Sequence, residues 1–494
     1  MKKLYFLAFL SSIISFGQTQ IGSDINGEAI DDYSGDSVSL SNDGSVIAIG
    51  ATQNDGNGSQ SGHVRIYKNV LGVWTQIGSD INGEASVDIS GSSVSLSSDG
   101  SIVAIGAYGN DGNGGYSGHV RIFKNILGVW SQLGSDINGE AAGDYSGYSV
   151  SLSSDGSVVA IGAYGNDGNG SQSGHVRIFK NVLGAWTQIG SDINGETVTE
   201  LSGTSVSLSS DGNVLAIGAP YNDGSSTDPG FDSGKVRIYK NISGVWTKIG
   251  SDIDGDSSLD YSGKSISLSN DGNIIAIGTF FDDNVNIVNC GAVRIYKNIS
   301  DVWTLIGLPI YGDAEMDKFG DAVSLSGDGN IVAIGAPQND GNGADLGHVR
   351  IFKNISDVWT QVGIDIDGES EGDKSGSSVS LSSDGNTVAI GARYNDGNGT
   401  DSGHVRVYDL SAFLNSDSFV LDNFSIYPNP TSEFININLE NNLTLEKVNI
   451  YNTLGQIIKS EKNKTIDVKS LAKGNYFVEV ITNQGKATKT IIVE

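Results

Sequence analysis

The sequence predicts an all-β protein: a seven-bladed β-propeller with four antiparallel strands per blade, followed by a small Ig-like β-sandwich. Three observations carry this. The string Gly-Ser-Asp-Ile-Asn-Gly starts at Gly22, Gly78, Gly134 and Gly190, and altered copies start at Gly250, Gly307 and Gly363, at intervals of 56, 56, 56, 60, 57 and 56 residues. Each period holds four short runs of strand-like alternation separated by Gly, Asn and Asp. After Phe413 the period stops and a different series of alternating segments begins.

The first copy shows the four strands. Ser37 to Ser41 alternates polar and apolar residues, and Val46 to Ala51 follows after Asn42-Asp43-Gly44, an Asp-Gly hairpin signal. His63 to Lys68 comes third, beyond a long Gly/Asn/Asp loop, and Val73 to Ile77 fourth. A four-stranded sheet has two faces and cannot bury both alone, so successive sheets must stack, and a closed ring leaves no end exposed. Trp74, Trp130, Trp186, Trp246, Trp303 and Trp359 all open the fourth strand and are expected to pack between blades.

The seventh copy ends at its third strand, His404 to Tyr408, and lacks a fourth. The missing piece stands at the other end of the chain: Gln18-Thr19-Gln20-Ile21-Gly22 matches Trp74-Thr75-Gln76-Ile77-Gly78, with Gln18 in the tryptophan's place. The N-terminal strand is therefore expected to complete the last blade, closing the ring and covering a sheet edge.

The flanking segments set the destination. Lys2, Lys3 and the apolar run Leu4 to Ile14 read as a secretory signal peptide over 1–17, with cleavage before Gln18. The apolar run is too short to span a bilayer, and no transmembrane segment is expected elsewhere. Residues 414–423 read as a linker. From 424 to 494 the chain alternates in short strands, Glu433–Leu439, Glu446–Asn452, Thr465–Val468, Gly474–Thr482 and Ala487–Val493, as a small sandwich does.

The net charge of −29 lies almost wholly in the repeats: residues 18–417 hold 19 Lys+Arg against 50 Asp+Glu. Such a field repels nucleic acid and anionic lipid and suits cations, basic surfaces or glycans. The single cysteine, Cys290, excludes an intrachain disulfide and reads as a buried small apolar residue.

Alternate connections of a four-stranded meander lie at opposite ends of the blade. The long loops, from Gly22 and from Thr52, therefore share one face of the ring. The loop Asn54-Asp55-Gly56-Asn57-Gly58 and its copies offer oxygen donors, giving calcium candidates at Asp55, Asn57, Asp111, Asn113, Asp167, Asn169, Asp340, Asn342, Asp396 and Asn398. The competing reading is that these side chains build Asx turns. All five histidines, His63, His119, His175, His348 and His404, start a third strand and are read as structural. No cofactor is expected beyond that calcium option. Near-identical blades also argue against a catalytic pocket, which needs different residues in distinct roles. The two divergent loops, Gly224 to Asp232 and Asp282 to Cys290, are where a specific contact would first be sought.

The repeats resemble the FG-GAP family, best in the sixth copy, where Phe319-Gly320 precede the first strand and Gly335-Ala336-Pro337 end the second. The calcium loop that integrin blades carry between their first two strands does not carry over, because Ser41-Asn42-Asp43-Gly44 supplies one carboxylate and calcium takes six to eight oxygens. The C-terminal segment resembles the type A sorting domain of the Bacteroidota type IX (Por) secretion system, through Tyr427, Pro428, Asn429, Pro430, Gly455, Gly474, Tyr476, Gly485 and Lys489. That resemblance implies export to the cell surface or medium, with the type IX machinery as partner. The expected function is a monomeric, non-enzymatic binding or adhesion protein for an extracellular protein or glycan. The alternatives are a structural coat component and, least favoured, a glycan-active enzyme.

Overall fold

A computed structural model describes residues 18–223, 231–341, 343–411, 420, 423–440, 443–452, 456–482 and 485–494. The expected signal peptide, most of the linker, residues 224–230, Asn342 and Gly455 lie outside them.

Every named element is a strand. The repeats form seven antiparallel sheets, each a meander in sequence order. In the first blade the strands are Ser34–Leu40, Val46–Ala51, His63–Val70 and Val73–Gln76. The second strand is buried over its whole length, as its unbroken Val-Ile-Ala-Ile-Gly-Ala run requires of an element covered on both faces. The fourth strand differs from expectation. It stops at Gln76, and the chain rejoins the sheet at Ile81–Asn82, which pairs with Val64 and His63. Gly78, at φ +78, turns the chain out between the two segments, and the Gly-Ser-Asp that marks each repeat is thus a bulge rather than a loop.

The ring closes as the sequence predicts. Thr19 and Gln20 pair with Asp409 and Tyr408, and Ile25 and Asn26 pair with Val405 and His404. The N-terminal strand thus completes the seventh sheet. Gln18 takes the tryptophan's place and donates its amide to Ile364 O at 2.7 Å. The six tryptophan indoles each donate to a main-chain carbonyl of the preceding blade, from Trp74 to Ile21 O at 2.8 Å through Trp359 to Ile306 O at 3.0 Å.

Each blade junction holds one apolar cluster. The cluster between the last and first blades joins Ala389, Val405, Val407 and Ile25 to Leu40, Ile47 and Ile49. Close approach is enforced by glycine: a Cβ on Gly106 would lie 1.9 Å from Gly147 O, and one on Gly391 would lie 2.1 Å from Gly35 O. Polar bonds run round the centre as well. The Ser39 hydroxyl accepts from Leu96 N, and the same bond repeats at every junction, ending with Leu40 N donating to Ser380 Oγ, all at 2.9–3.0 Å. At the short-turn end a main-chain circle forms. Asn42 N donates to Ser98 O, Ser98 N to Ser154 O, and so on through Ser210, Asn270, Gly327 and Ser383 back to Asn42, at 2.7–2.9 Å.

The C-terminal segment forms two sheets. One orders Phe424–Tyr427, Phe434–Leu439 and Thr465–Asp467; the other orders Ile457–Glu461, Leu445–Tyr451, Gly474–Thr482 and Gly485–Val493. Their shared core includes Phe424, Ile435, Val448, Val478 and Ile491. Val420 is fully buried in that core, so one residue assigned to the linker belongs to the sandwich.

Candidate functional site

Besides the long loops and the histidine position of the fourth and fifth blades, differences between blades concentrate at two places. One is the exposed tip of the long loop after each Gly-Ser-Asp bulge. The other is a set of four positions at the long-loop end of the innermost strands, where the central channel opens. In the first blade these are Tyr33, Asp36, Thr52 and Gln53. The equivalents of Asp36 are Ser92, Tyr148, Thr204, Lys264, Asp321 and Ser377; those of Thr52 are Tyr108, Tyr164, Pro220, Phe280, Pro337 and Arg393. The strands holding them are nearly invariant, so a rigid ring presents a varied set of side chains.

These side chains make three aromatic groups around the opening. Tyr145 stacks on Tyr164 at 4.9 Å, while Tyr148 meets Tyr164 edge-on at 4.6 Å and Tyr108 at 5.4 Å. Tyr261 packs with Phe280 at 5.3 Å and Phe281 at 5.8 Å, and with Tyr221 at 5.1 Å. Tyr33 meets Tyr394 at 5.0 Å across the junction of the first and last blades.

Four cations lie among them. Lys264 Nζ is 3.4 Å from Tyr148 Oη and 5.7 Å from its ring centre. The two residues stand on the fifth and third blades, so the contact reaches across the fourth at the mouth. Lys318 lies 5.8 Å from the rings of both Phe280 and Phe281; Lys374 and Arg393 lie over Tyr394 at 5.2 and 4.9 Å. Arg393 also pairs with Asp36 at 2.7 Å. Burial opposes the charge on Lys264, but Tyr148 and Asp321 outweigh it and hold the ammonium above its ordinary pKa. Burial, helped by the neighbouring tyrosines, pushes the Tyr108 hydroxyl up to about 12 and that of Tyr164 higher still. The mouth therefore offers the neutral phenols of Tyr108 and Tyr164, flat rings and the charged Lys264, a combination that stacks on and hydrogen-bonds a polar ring and pairs with an anion.

The calcium candidates among the described residues make hydrogen bonds within and between turns. Asp55 Oδ1 accepts from Gln60 N at 2.8 Å, and the Asn57 amide donates to Gly83 O at 2.9 Å on the next loop. Asp111 and Asn113, Asp167 and Asn169, and Asp396 and Asn398 repeat these bonds. Asp340 accepts from Asp345 N at 2.8 Å. Among the described residues, the clusters of side chains spaced to hold a metal lie elsewhere, each around one of the five histidines. In the divergent fifth-blade loop, Asp282 pairs with Arg294, and Cys290 is fully buried, as expected.

In the C-terminal domain, sorting-signal residues tie the first strand to the last. Asn429 donates to Thr490 O at 3.0 Å and accepts from Ile492 N at 2.9 Å. Lys489 Nζ donates to Phe424 O and lies 4.6 Å from the Phe424 ring centre. Tyr476 Oη donates to Ala472 O at 2.9 Å, Gly474 and Gly485 open the last two strands, and Tyr427 is exposed where the chain enters Pro428 and Pro430.

Comparison with known proteins agrees with this division. Residues 138–179, 312–352 and 364–408 match the FG-GAP repeat family, and residues 425–494 match the secretion system C-terminal sorting domain. The sorting domain marks cargo of type IX secretion, delivered to the cell surface or the extracellular space. The β-propeller domain of Myceliophteria thermophila Cps50 (Swd1) superposes with a TM-score of 0.51 at 12% identity, covering 79% of this chain and 99% of that one, a likeness of fold alone. A candidate 6-phosphogluconolactonase from Bacteroides uniformis gives 0.47 at 12% identity over 70% of this chain and 88% of that one. No curated protein matches the sequence. No helix among the described residues is long and apolar enough to cross a membrane.

Proposed function

We propose that this chain, FG-GAP repeats carried outward by a type IX sorting domain, is a non-enzymatic surface binding protein that seats one ligand at the mouth of its channel. The observation that carries the reading is where the blades differ. Apart from exposed loop tips, conservative apolar exchanges, and the long loops and histidine-position replacements of the fourth and fifth blades, variation gathers at the four positions that meet at the mouth, and there it is rich in tyrosine, phenylalanine, lysine and arginine. A surface with no ligand has no use for such a concentration on an otherwise strongly acidic ring.

The ligand class follows from the chemistry. Clustered tyrosine rings suit a sugar ring, and Lys264 and Lys318, with Lys374 and Arg393 beside their partners Asp345 and Asp36, suit a carboxylate or sulfate carried on it. The proposed ligand is therefore an acidic carbohydrate, with the protein an adhesin-like reader of a glycan outside the cell. A glycan array probed with the secreted chain tests this. Binding to uronic-acid or sulfated glycans, lost by at least about tenfold in Lys264→Gln and Tyr164→Ala, is the expected result, a tenfold loss being one charge-assisted bond of about 1.4 kcal/mol. Binding that survives both substitutions, or that prefers neutral glycans, refutes the reading.

A further inference from the structure

We propose that five of the seven blade junctions are binding sites for a divalent transition-metal ion, each formed by one histidine and two carboxylates, which come from three separate segments in four of the sites and from two in the sixth blade. In the first blade the segments bring His63, Glu28 and Asp80 together with one ligand atom from each within 4.8 Å of the others. The same arrangement recurs as Glu84, His119 and Asp136, as Glu140, His175 and Asp192, and as Glu369, His404 and Asp24; in the sixth blade His348 faces Asp365 and Asp367. The Nδ1-to-carboxylate separations are 3.8–4.0 Å. Ligand atoms around a tetrahedral zinc ion, bonded at about 2.0–2.1 Å, lie about 3.3 Å apart, so a small contraction completes the geometry.

Three further observations point to a cation. First, the imidazoles are 1–3% exposed, and Nδ1 of each faces a carboxylate oxygen 3.8–4.0 Å away, beyond hydrogen-bond reach, with Nδ1 of His404 buried and without a partner among the described residues. A buried ring nitrogen aimed at carboxylates it does not reach leaves room for a cation between them. Second, the carboxylates are held from behind. Gln76 donates to Asp80 Oδ1 at 2.6 Å, and Arg65 lies 3.5 Å from Glu28 Oε1, leaving the other oxygen of each available. Such outer partners orient metal ligands.

Third, the two remaining blades act as internal controls. In the fourth blade Lys235 replaces the histidine, and its ammonium lies 3.3 Å from Asp252, 3.7 Å from Asp254 and 3.8 Å from Glu196. The position that holds histidine elsewhere thus carries a built-in cation among the same carboxylates. In the fifth blade Ala292, Leu305 and Pro309 stand where the first blade has His63, Gln76 and Asp80. Ligand, second ligand and supporting amide are lost together. One nitrogen and two oxygen donors with an open fourth position suit zinc, and the nitrogen disfavours calcium.

Calorimetric titration of the chelator-stripped full chain with zinc chloride is the test. The expected stoichiometry is five per chain, falling to four in His63→Gln and three in His63→Gln/His119→Gln, with calcium unable to displace the zinc. Glu84 is about half exposed, so Glu84→Gln leaves the fold intact and provides the same loss of one site should a histidine variant fold poorly. Absence of saturable zinc binding at micromolar concentration overturns the assignment, as does a stoichiometry that none of these substitutions alters.

Discussion

Replacing Ile25 by alanine should destabilise the propeller as much as the same change deep in the ring. Ile25 precedes every blade in sequence, yet it is 5% exposed in the cluster shared by the seventh and first blades, among Val405, Val407, Leu40 and Ile49. Its main chain pairs with Val405. Ile137 holds the equivalent position in the second blade, pairs with Val120 and is also 5% exposed. Removing three buried carbons from either site costs about 3 kcal/mol, within the range of about 2–5 kcal/mol for such truncations. Unfolding a ring of about 390 residues gains entropy of about 0.8 kcal/mol per degree, so each substitution should lower Tm by about 4 °C. Urea titration with an unchanged slope, run beside thermal melting, measures both. If the N-terminal strand only rests against the last blade, Ile25→Ala costs under about 1 kcal/mol while Ile137→Ala retains its full effect, and that inequality refutes the closure.

Other junction features give shorter predictions. Gly106→Ala places a methyl 1.9 Å from the Gly147 carbonyl, so the blades must part; a loss of about 2–3 kcal/mol is expected by denaturant titration, against little for Gly115→Ser, where nothing lies within 4 Å and φ is not in the left-handed region. Ser95→Ala leaves Leu152 N without its partner at 2.9 Å and should cost about 1 kcal/mol by the same measurement. Acid stability follows from the seven Asp residues of the short turns. Burial raises the pKa of Asp43, but the bonds from Ser45 N and from the Ser41 and Ser45 hydroxyls outweigh it and hold the carboxyl below its ordinary value of 3.8; Asp99, Asp155, Asp211, Asp271, Asp328 and Asp384 follow suit. A depressed folded pKa stabilises above the unfolded value and loses that contribution as pH falls through the folded one. The contribution of these turns to Tm should thus be constant above about pH 4 and decline below it, and Asp99→Asn should flatten that decline.

The ring was legible because its signals are local. An Asp-Gly turn, a buried Val-Ile-Ala-Ile-Gly-Ala run and a 56-residue interval are each visible in one stretch of chain, and Gln18–Gly22 matches Trp74–Gly78 by inspection. The bulge at Gly78 was not legible, because two residues of strand beyond a Gly-Ser-Asp turn leave no periodicity to read. The mouth was missed for a different reason. Lys264 and Tyr148 are 116 residues apart, and each looks like drift within its own repeat. Aligning the seven copies column by column, and asking which columns vary in chemistry rather than size, would have exposed it. The histidine clusters needed the structure outright. Glu28 lies on the connection into the first blade and reaches His63 through tertiary packing, while Asp80 reaches it through the bulge whose Ile81–Asn82 segment pairs with Val64 and His63.

The account holds that seven near-identical blades build one unlike place, the channel mouth. Titrating the full chain with a single acidic oligosaccharide selected by the array counts the places directly. One ligand per chain, lost in Lys264→Gln and untouched by Asp111→Asn on the outer rim, is the predicted result. Several equivalent sites per chain, or one that disappears with Asp111 and persists without Lys264, would contradict it.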